Sequence, residues 1–236
     1  MKKMTLMQHF AELRSRILWT FAVFVAAFVG GWYVSPMLQE FLSVPLMSVW
    51  PDGTMLYTGL TDALMIRLSL AGMFGLLVTM PAALWNVWAF VAPGLKKNER
   101  KIIWPMMIMS PVLFVLGAAF AFYILFPFAF KFFIELNESV SVPAVLMPAA
   151  RDYLRFAIGL LKVFGVAFQL PLVFVLLNRI GILSRARVVQ MRRYAIVIIV
   201  IFAAVLTPPD IVSQILLALP MWVLFEISIL FMRRDD

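Results

Sequence analysis

The chain has no cysteine, a single histidine (His9), and charged side chains at only 14% of its 236 positions. Each scarcity removes a class of explanation. Without cysteine there is no disulfide framework and no thiolate metal site, and one histidine cannot build a histidine-rich metal centre. No GxxxxGK loop is present, so the usual backbone cradle for a nucleotide triphosphate is missing. A hydrolase needs a nucleophile with a base in reach, and the only histidine lies close to the N-terminus. No enzyme, cofactor or metal is therefore expected. Lysine and arginine are themselves absent from residues 35–62, a gap that carries information of its own.

What fills the chain instead is apolar. Hydrophobic residues make up 64%, and the mean hydropathy is +0.99, too high for a water-soluble domain of this length. A hydrocarbon layer about 30 Å thick asks for roughly 20 apolar residues per helical span, and a helix satisfies its backbone polar groups internally. The apolar runs predict an all-α, polytopic membrane protein forming one domain over residues 1–236. Six spans are expected: Ile17–Val34, Leu64–Ala92, Ile102–Phe133, Tyr153–Leu177, Tyr194–Leu206 and Ile211–Met232. The first reads as a permanent span, being too long for the core of a cleaved leader.

The formal charge of +8 does not point to nucleic acid, because the bases sit at span borders, where they set orientation and meet lipid head groups. Lys2, Lys3, Arg14 and Arg16 precede the first span, and Lys96, Lys97, Arg100 and Lys101 follow the second. Arg179, Arg185, Arg187, Arg192 and Arg193 follow the fourth, and Arg233 and Arg234 follow the sixth. If the spans alternate, all of these lie on one side and the base-free loop Ser35–Asp62 on the other. The positive-inside rule then places both termini in the cytoplasm. Prolines 81, 105, 111, 127, 171 and 220 fall inside spans and favour bends, so the helices should build a curved wall. The fifth span is short: about 13 residues give roughly 20 Å, which calls for local thinning of the bilayer or tilting of neighbours, unless Arg192 and Arg193 snorkel and lengthen the span.

Polar residues in apolar surroundings are the candidates for function. Thr5–Arg16 reads as an amphipathic helix leading into the first span, with Leu6, Phe10, Leu13 and Ile17 on one stripe and His9, Glu12 and Arg16 beside it. Glu12 and Arg16 have the spacing of an ordinary surface pair. Glu99 is one carboxylate among Lys96, Lys97, Arg100 and Lys101; it either pairs within its loop or offers a bidentate seat to an incoming guanidinium. Within spans, ionisable and strongly polar groups are costly. Arg67, Lys131 and Glu226 lie near span ends and can snorkel. Lys162 and Gln169, seven apart on one helix face, lie deeper and call for a cavity or a polar partner.

Four segments in order then resemble a known family. His9-Phe10-Ala11-Glu12-Leu13-Arg14-Ser15-Arg16 is similar to an HLxELRxR entry; Trp88-Ala89-Phe90-Val91-Ala92-Pro93-Gly94-Leu95 is followed by Glu99-Arg100. Phe164-Gly165-Val166-Ala167-Phe168-Gln169-Leu170-Pro171 comes next, then Leu206-Thr207-Pro208-Pro209-Asp210 with Ser213-Gln214. The chain resembles TatC, the core membrane subunit of the twin-arginine protein export system. The resemblance implies that Glu12 and Glu99 receive the paired arginines of signal peptides on folded cargo at the cytoplasmic face. Phe90 would edge the site, and Arg14, Arg16 and Arg100 would pre-position the carboxylates. It also implies a concave face containing Gln169, where a glutamate is frequent, near Lys162. Thr207 and Gln214 would bind the single-span partners TatA and TatB, and Pro45 and Asp210 would matter on the outer side. A prokaryotic inner membrane, homo- and hetero-oligomers, contacts with membrane lipids, and export driven by the proton-motive force complete the expectation. A small-molecule transporter using Lys162 and Gln169 at a midplane site, and a membrane-shaping scaffold, are the alternatives.

Overall fold

The computed structural model describes residues 6–94, 100–138, 147–206 and 211–233. They form α1 Leu6–Val49, α2 Asp62–Val91, α3 Arg100–Phe120, α4 Phe126–Glu138, α5 Ala150–Ala167, α6 Leu170–Arg179, α7 Arg185–Gln190, α8 Arg192–Leu206 and α9 Ile211–Phe231. No strand occurs among the described residues; the only extended pairing is the bridge between Leu56 and Ala149. Among the described residues, five stretches are long and apolar enough to cross a membrane: His9–Val49, Asp62–Val91, Ile103–Leu136, Ala150–Arg179 and Gln214–Phe231. The stretch expected as a fifth span, α8, has 15 residues, about 22 Å of helix. It runs antiparallel to α9. Arg192 pairs with Glu226 at one end of this hairpin, and Gln214 Nε2 donates to the Val200 carbonyl at 3.1 Å toward the other.

One expectation fails at the first helix. The chain does not leave the helix at Val34; α1 is one 44-residue helix that begins before Glu12 and runs through Pro36 and Pro45 to Val49. Pro36 has no N–H for the Trp32 carbonyl four residues back, and the Ser35 hydroxyl supplies a donor to that oxygen at 2.8 Å. The helix also gains partners beyond Val34. Phe41 stacks on Phe122 with ring centroids 4.4 Å apart, and the Tyr153 hydroxyl donates to the Leu42 carbonyl. The loop on this far side is therefore residues 50–61, not 35–62.

Helix packing follows small residues. At the α1–α2 contact a Cβ on Gly31 would stand 3.0 Å from the Ala71 backbone, and one on Gly75 would stand 3.1 Å from the Phe24 ring. At the α3–α5 contact a Cβ on Gly117 would collide with the Phe164 carbonyl, and one on Gly165 would collide with the Phe114 ring. Membrane helices, whose lipid is as apolar as their side chains, associate through such close backbone approach. α2 packs on both α1 and α3, α5 on α3 and α2, and α9 on α6 and α8.

Two interruptions set directions. Between α3 and α4, residues Ala121–Leu125 form a π-helical turn, closed by the Phe126 N–H donating to the Ala121 carbonyl. α3 packs on α2 and α5, whereas α4 packs on α1. Between α5 and α6 the helix breaks at Phe168–Gln169, just before Pro171, whose missing N–H leaves the Ala167 carbonyl without its helical donor. α6 then ends on Gly181, at φ 77°. The Ile182 and Leu183 N–H groups return to the Leu177 carbonyl at 2.9 and 3.0 Å, a glycine C-cap.

Candidate functional site

The near end of the α1–α2 hairpin gathers the polar residues of the first segment. Glu12 and Arg16 lie one helical turn apart on α1, with side chains 23% and 28% exposed. Arg16 Nη2 and Nε both donate to the same carboxylate oxygen, Glu12 Oε1, at 2.6 and 3.0 Å. The guanidinium is held from a second direction, because Arg16 Nη1 donates to Asn86 Oδ1 of α2 at 3.2 Å. Asn86 Nδ2 in turn donates to Thr20 Oγ1 at 3.0 Å, and that hydroxyl donates to the Arg16 carbonyl at 2.8 Å. This ring of contacts ties α1 to α2 and fixes the rotamer of Arg16.

Its consequence is asymmetry in the carboxylate. Glu12 Oε1 accepts twice, while Glu12 Oε2 is buried and accepts no hydrogen bond from the described residues. A buried carboxylate oxygen without a donor is costly, so the position favours an added donor, above all a cation. Beside it, His9 stacks on Phe90 at 4.1 Å with the rings 13° from parallel, a flat apolar wall. Between α1 and α2 runs a cavity of about 430 Å³ whose lining includes Arg16, Asn86 and Phe90 at one end and Phe24, Leu76 and Thr79 at the other. The site thus offers one unsatisfied anion, an aromatic edge and an adjoining apolar groove. It has the parts to hold a cationic side chain, and the described residues place no nucleophile–base pair there.

The other expected residues fall in several places. Arg14 is exposed on α1, and Arg100 opens α3. Glu99, Thr207 and Asp210 lie outside the described residues. Pro45 is buried within α1, one turn before Ser48, whose hydroxyl donates to the Pro45 carbonyl. Gln214 spends its amide on the α8–α9 hairpin. Gln169 has the polar partner expected of it: Oε1 accepts from the Ser110 hydroxyl at 2.6 Å, and Nε2 donates to the Ser110 carbonyl at 2.8 Å. Lys162 is exposed on α5. Among the span-end ions, Glu226 is paired with Arg192 at 2.6 Å and Lys131 with Glu135 at 3.7 Å, while Arg67 is exposed.

Comparison with known proteins bears directly on this arrangement. Residues 8–220 match the family described as Sec-independent protein translocase protein (TatC). The chain belongs to the TatC family. It is 37% identical to the Sec-independent protein translocase protein TatC of Magnetococcus marinus over 233 residues, covering 98% of this chain and 85% of that protein. It is 40% identical to the TatC of Azotobacter chroococcum over 233 residues, with 98% and 90% covered. A crystal structure of the twin arginine translocase receptor TatC superposes with a TM-score of 0.86 at 30% identity, covering 94% of this chain and 97% of that one. TatC proteins are membrane components of protein translocation, not enzymes, which agrees with a site built from a carboxylate, an arginine and an amide.

Asn86, Thr20 and Asp62 are the residues that sequence reasoning passed over. Asn86 carried a signal, being a strongly polar amide inside the apolar run of α2. Asp62 is 3% exposed. Its Oδ2 accepts from Gly59 N at 2.7 Å, Thr58 N at 2.9 Å and Thr58 Oγ1 at 3.0 Å, and its Oδ1 faces Arg151 Nη1 at 3.5 Å. An acidic residue at the first position of a helix, just after a Thr-Gly turn, is a readable capping signal.

Proposed function

We propose that this chain is the signal-peptide receptor of a twin-arginine translocase, with Glu12 as one seat for the paired arginines and Glu99 as the other. The observation that carries the reading is the buried Oε2 of Glu12, which accepts no hydrogen bond from the described residues, beside a locked Arg16 and the His9–Phe90 stack. A guanidinium has several N–H donors in a fixed plane and meets a carboxylate with directional, charge-assisted bonds. A lysine ammonium is a compact, strongly hydrated point charge that loses more on leaving water. Arg16 blocks one oxygen, so the seat takes a donor from one direction only, and this selects for shape as well as charge.

Sidedness supports the same reading. Arg14, Arg16, Lys101, Arg179, Arg185, Arg187, Arg192, Arg193 and Arg233 lie at helix ends on the Glu12 side. The positive-inside rule makes that side cytoplasmic in a prokaryotic inner membrane, where unexported cargo waits. TatA- and TatB-type single-span subunits are the partners in this reading, recruited at the short α8 and at Gln214 for export driven by the proton-motive force.

The test is binding of a fluorescent peptide carrying Arg-Arg, compared with the same peptide carrying Lys-Lys, to the purified chain in nanodiscs. The Arg-Arg peptide should bind about tenfold or more tightly, and Glu12→Gln should remove that preference. Equal binding of the two peptides to the unaltered chain would refute the receptor role.

A further inference from the structure

The groove between α1 and α2 has the dimensions of a particular kind of guest. Its walls run from Leu13 to Phe24 on α1 and from Leu76 to Phe90 on α2, about 16 and 21 Å of helix. That is close to the depth of one leaflet, about 15 Å, half of the hydrocarbon layer. Arg16, Asn86 and Phe90 stand at the end where Glu12 lies, and Phe24 and Leu76 stand at the other. The surface inside is almost entirely apolar. Ile17, Phe21 and Val87 on its walls are exposed, so the groove opens sideways toward lipid. Size selects among apolar occupants. A helix about 10 Å across needs roughly 1,200 Å³ to lie along 16 Å, whereas the groove holds about 430 Å³. A helix from a peptide or a partner is too thick to fill it. An acyl chain is one methylene wide, and lying there it restores the dispersion contacts that an empty groove forgoes.

Charge selects the head group. A chain lying in the groove brings its head to the Glu12 end. There Arg16 Nε and Nη2 fill Glu12 Oε1, and the buried Oε2 accepts no hydrogen bond from the described residues. An unfilled carboxylate oxygen calls for N–H donors that carry positive charge. We propose that the α1–α2 groove binds one phospholipid whose head group carries a primary ammonium, with an acyl chain along the groove and the ammonium on Glu12 Oε2. A trimethylated head group offers the same charge without an N–H, and an anionic one brings the wrong sign to a carboxylate. The lipid site goes beyond the receptor reading and does not rest on it. Where both hold, an arriving guanidinium displaces the ammonium.

The experiment uses the full chain in detergent with equal amounts of phosphatidylethanolamine, phosphatidylcholine and phosphatidylglycerol of identical acyl chains. Native mass spectrometry counts the lipids that stay bound. Phosphatidylethanolamine should be the first lipid retained, about tenfold over phosphatidylcholine. Glu12→Gln should abolish that preference while a lipid is still held. Ala83→Phe, which puts a ring into the groove, should lower retention of phosphatidylethanolamine about tenfold. Equal retention of the three lipids by the unaltered chain would overturn the proposal, as would a preference that survives Glu12→Gln or a retention untouched by Ala83→Phe. Selective retention of phosphatidylglycerol would overturn it in favour of the bases at the helix ends. No peptide is present, so failure of the receptor reading leaves these outcomes unchanged.

Discussion

Two largely buried carboxylates, one at each end of the α1–α2 hairpin, are treated in opposite ways. At the far end Asp62 is saturated: one oxygen accepts three donors from Thr58 and Gly59, and the other faces Arg151. Around it the 50–61 loop is pinned to the start of α5, with Leu56 N–H donating to the Pro148 carbonyl at 3.0 Å and Ala150 N–H to the Leu56 carbonyl at 2.9 Å. At the near end, among the described residues, Glu12 is half-saturated, with Oε1 doubly occupied and Oε2 without a donor. A carboxylate whose acceptors are all filled from within serves the fold. In the receptor reading, one that is clamped on one oxygen and unfilled by the described residues on the other is the seat for a donor brought by the peptide.

That contrast can be broken by experiment. The largest effect is expected at Glu12: Glu12→Gln should weaken Arg-Arg peptide binding by about 10- to 100-fold while the midpoint of thermal unfolding stays put. Asp62→Asn should do the reverse, lowering the unfolding midpoint while the surviving folded protein still prefers Arg-Arg to Lys-Lys. If both variants shifted stability and neither shifted peptide preference, the two carboxylates would belong to one class. A smaller effect is expected at Asn86. Asn86→Leu releases Arg16 from α2, lets it spread over both oxygens of Glu12, and should reduce Arg-Arg affinity by about three- to tenfold. Unchanged affinity there would show that the clamp on Arg16 does not shape the seat. The smallest effect on binding is expected from four leucines added to α8. Peptide affinity should not move, but export of a folded reporter from cells should fall; unchanged export would remove the thinning argument.

Much of this was legible in the sequence because membranes demand strong signals. Long apolar runs and one-sided bases name the fold class without reference to packing, and the short α8 is visible from residue count alone. The polar partner expected for Gln169 also appears, as Ser110. What misled was proline. Pro36, Pro45 and the Pro51-Asp52-Gly53 turn look alike in sequence as loop markers, yet α1 runs through the first two: Ser35 supplies the donor that Pro36 lacks, and Phe122 and Tyr153 offer surfaces to pack on. Those partners lie more than 80 residues away, beyond the reach of local pattern. Glu12 and Arg16 were visible as an i,i+4 pair, but the asymmetry of their bonding depends on Asn86, seventy residues downstream of Arg16. Spacing cannot show which oxygen is left free.

The π turn at Ala121–Leu125 has a directional effect. Before it, Phe114 and Gly117 point at α5; after it, α4 sits against α1. Through this junction the buried residues keep a regular three-four rhythm in sequence, from Met106 to Phe130. One surplus residue in the winding sets every later side chain back by about 100° around the axis, so a single apolar stripe serves two different neighbours in turn. Deleting any one residue from 121–125 would leave composition and hydropathy almost untouched. By the same geometry it would close the turn to α and leave Phe126 and Phe130 facing as they do now. One added residue would instead swing them by about 100° and unseat the far third of α1.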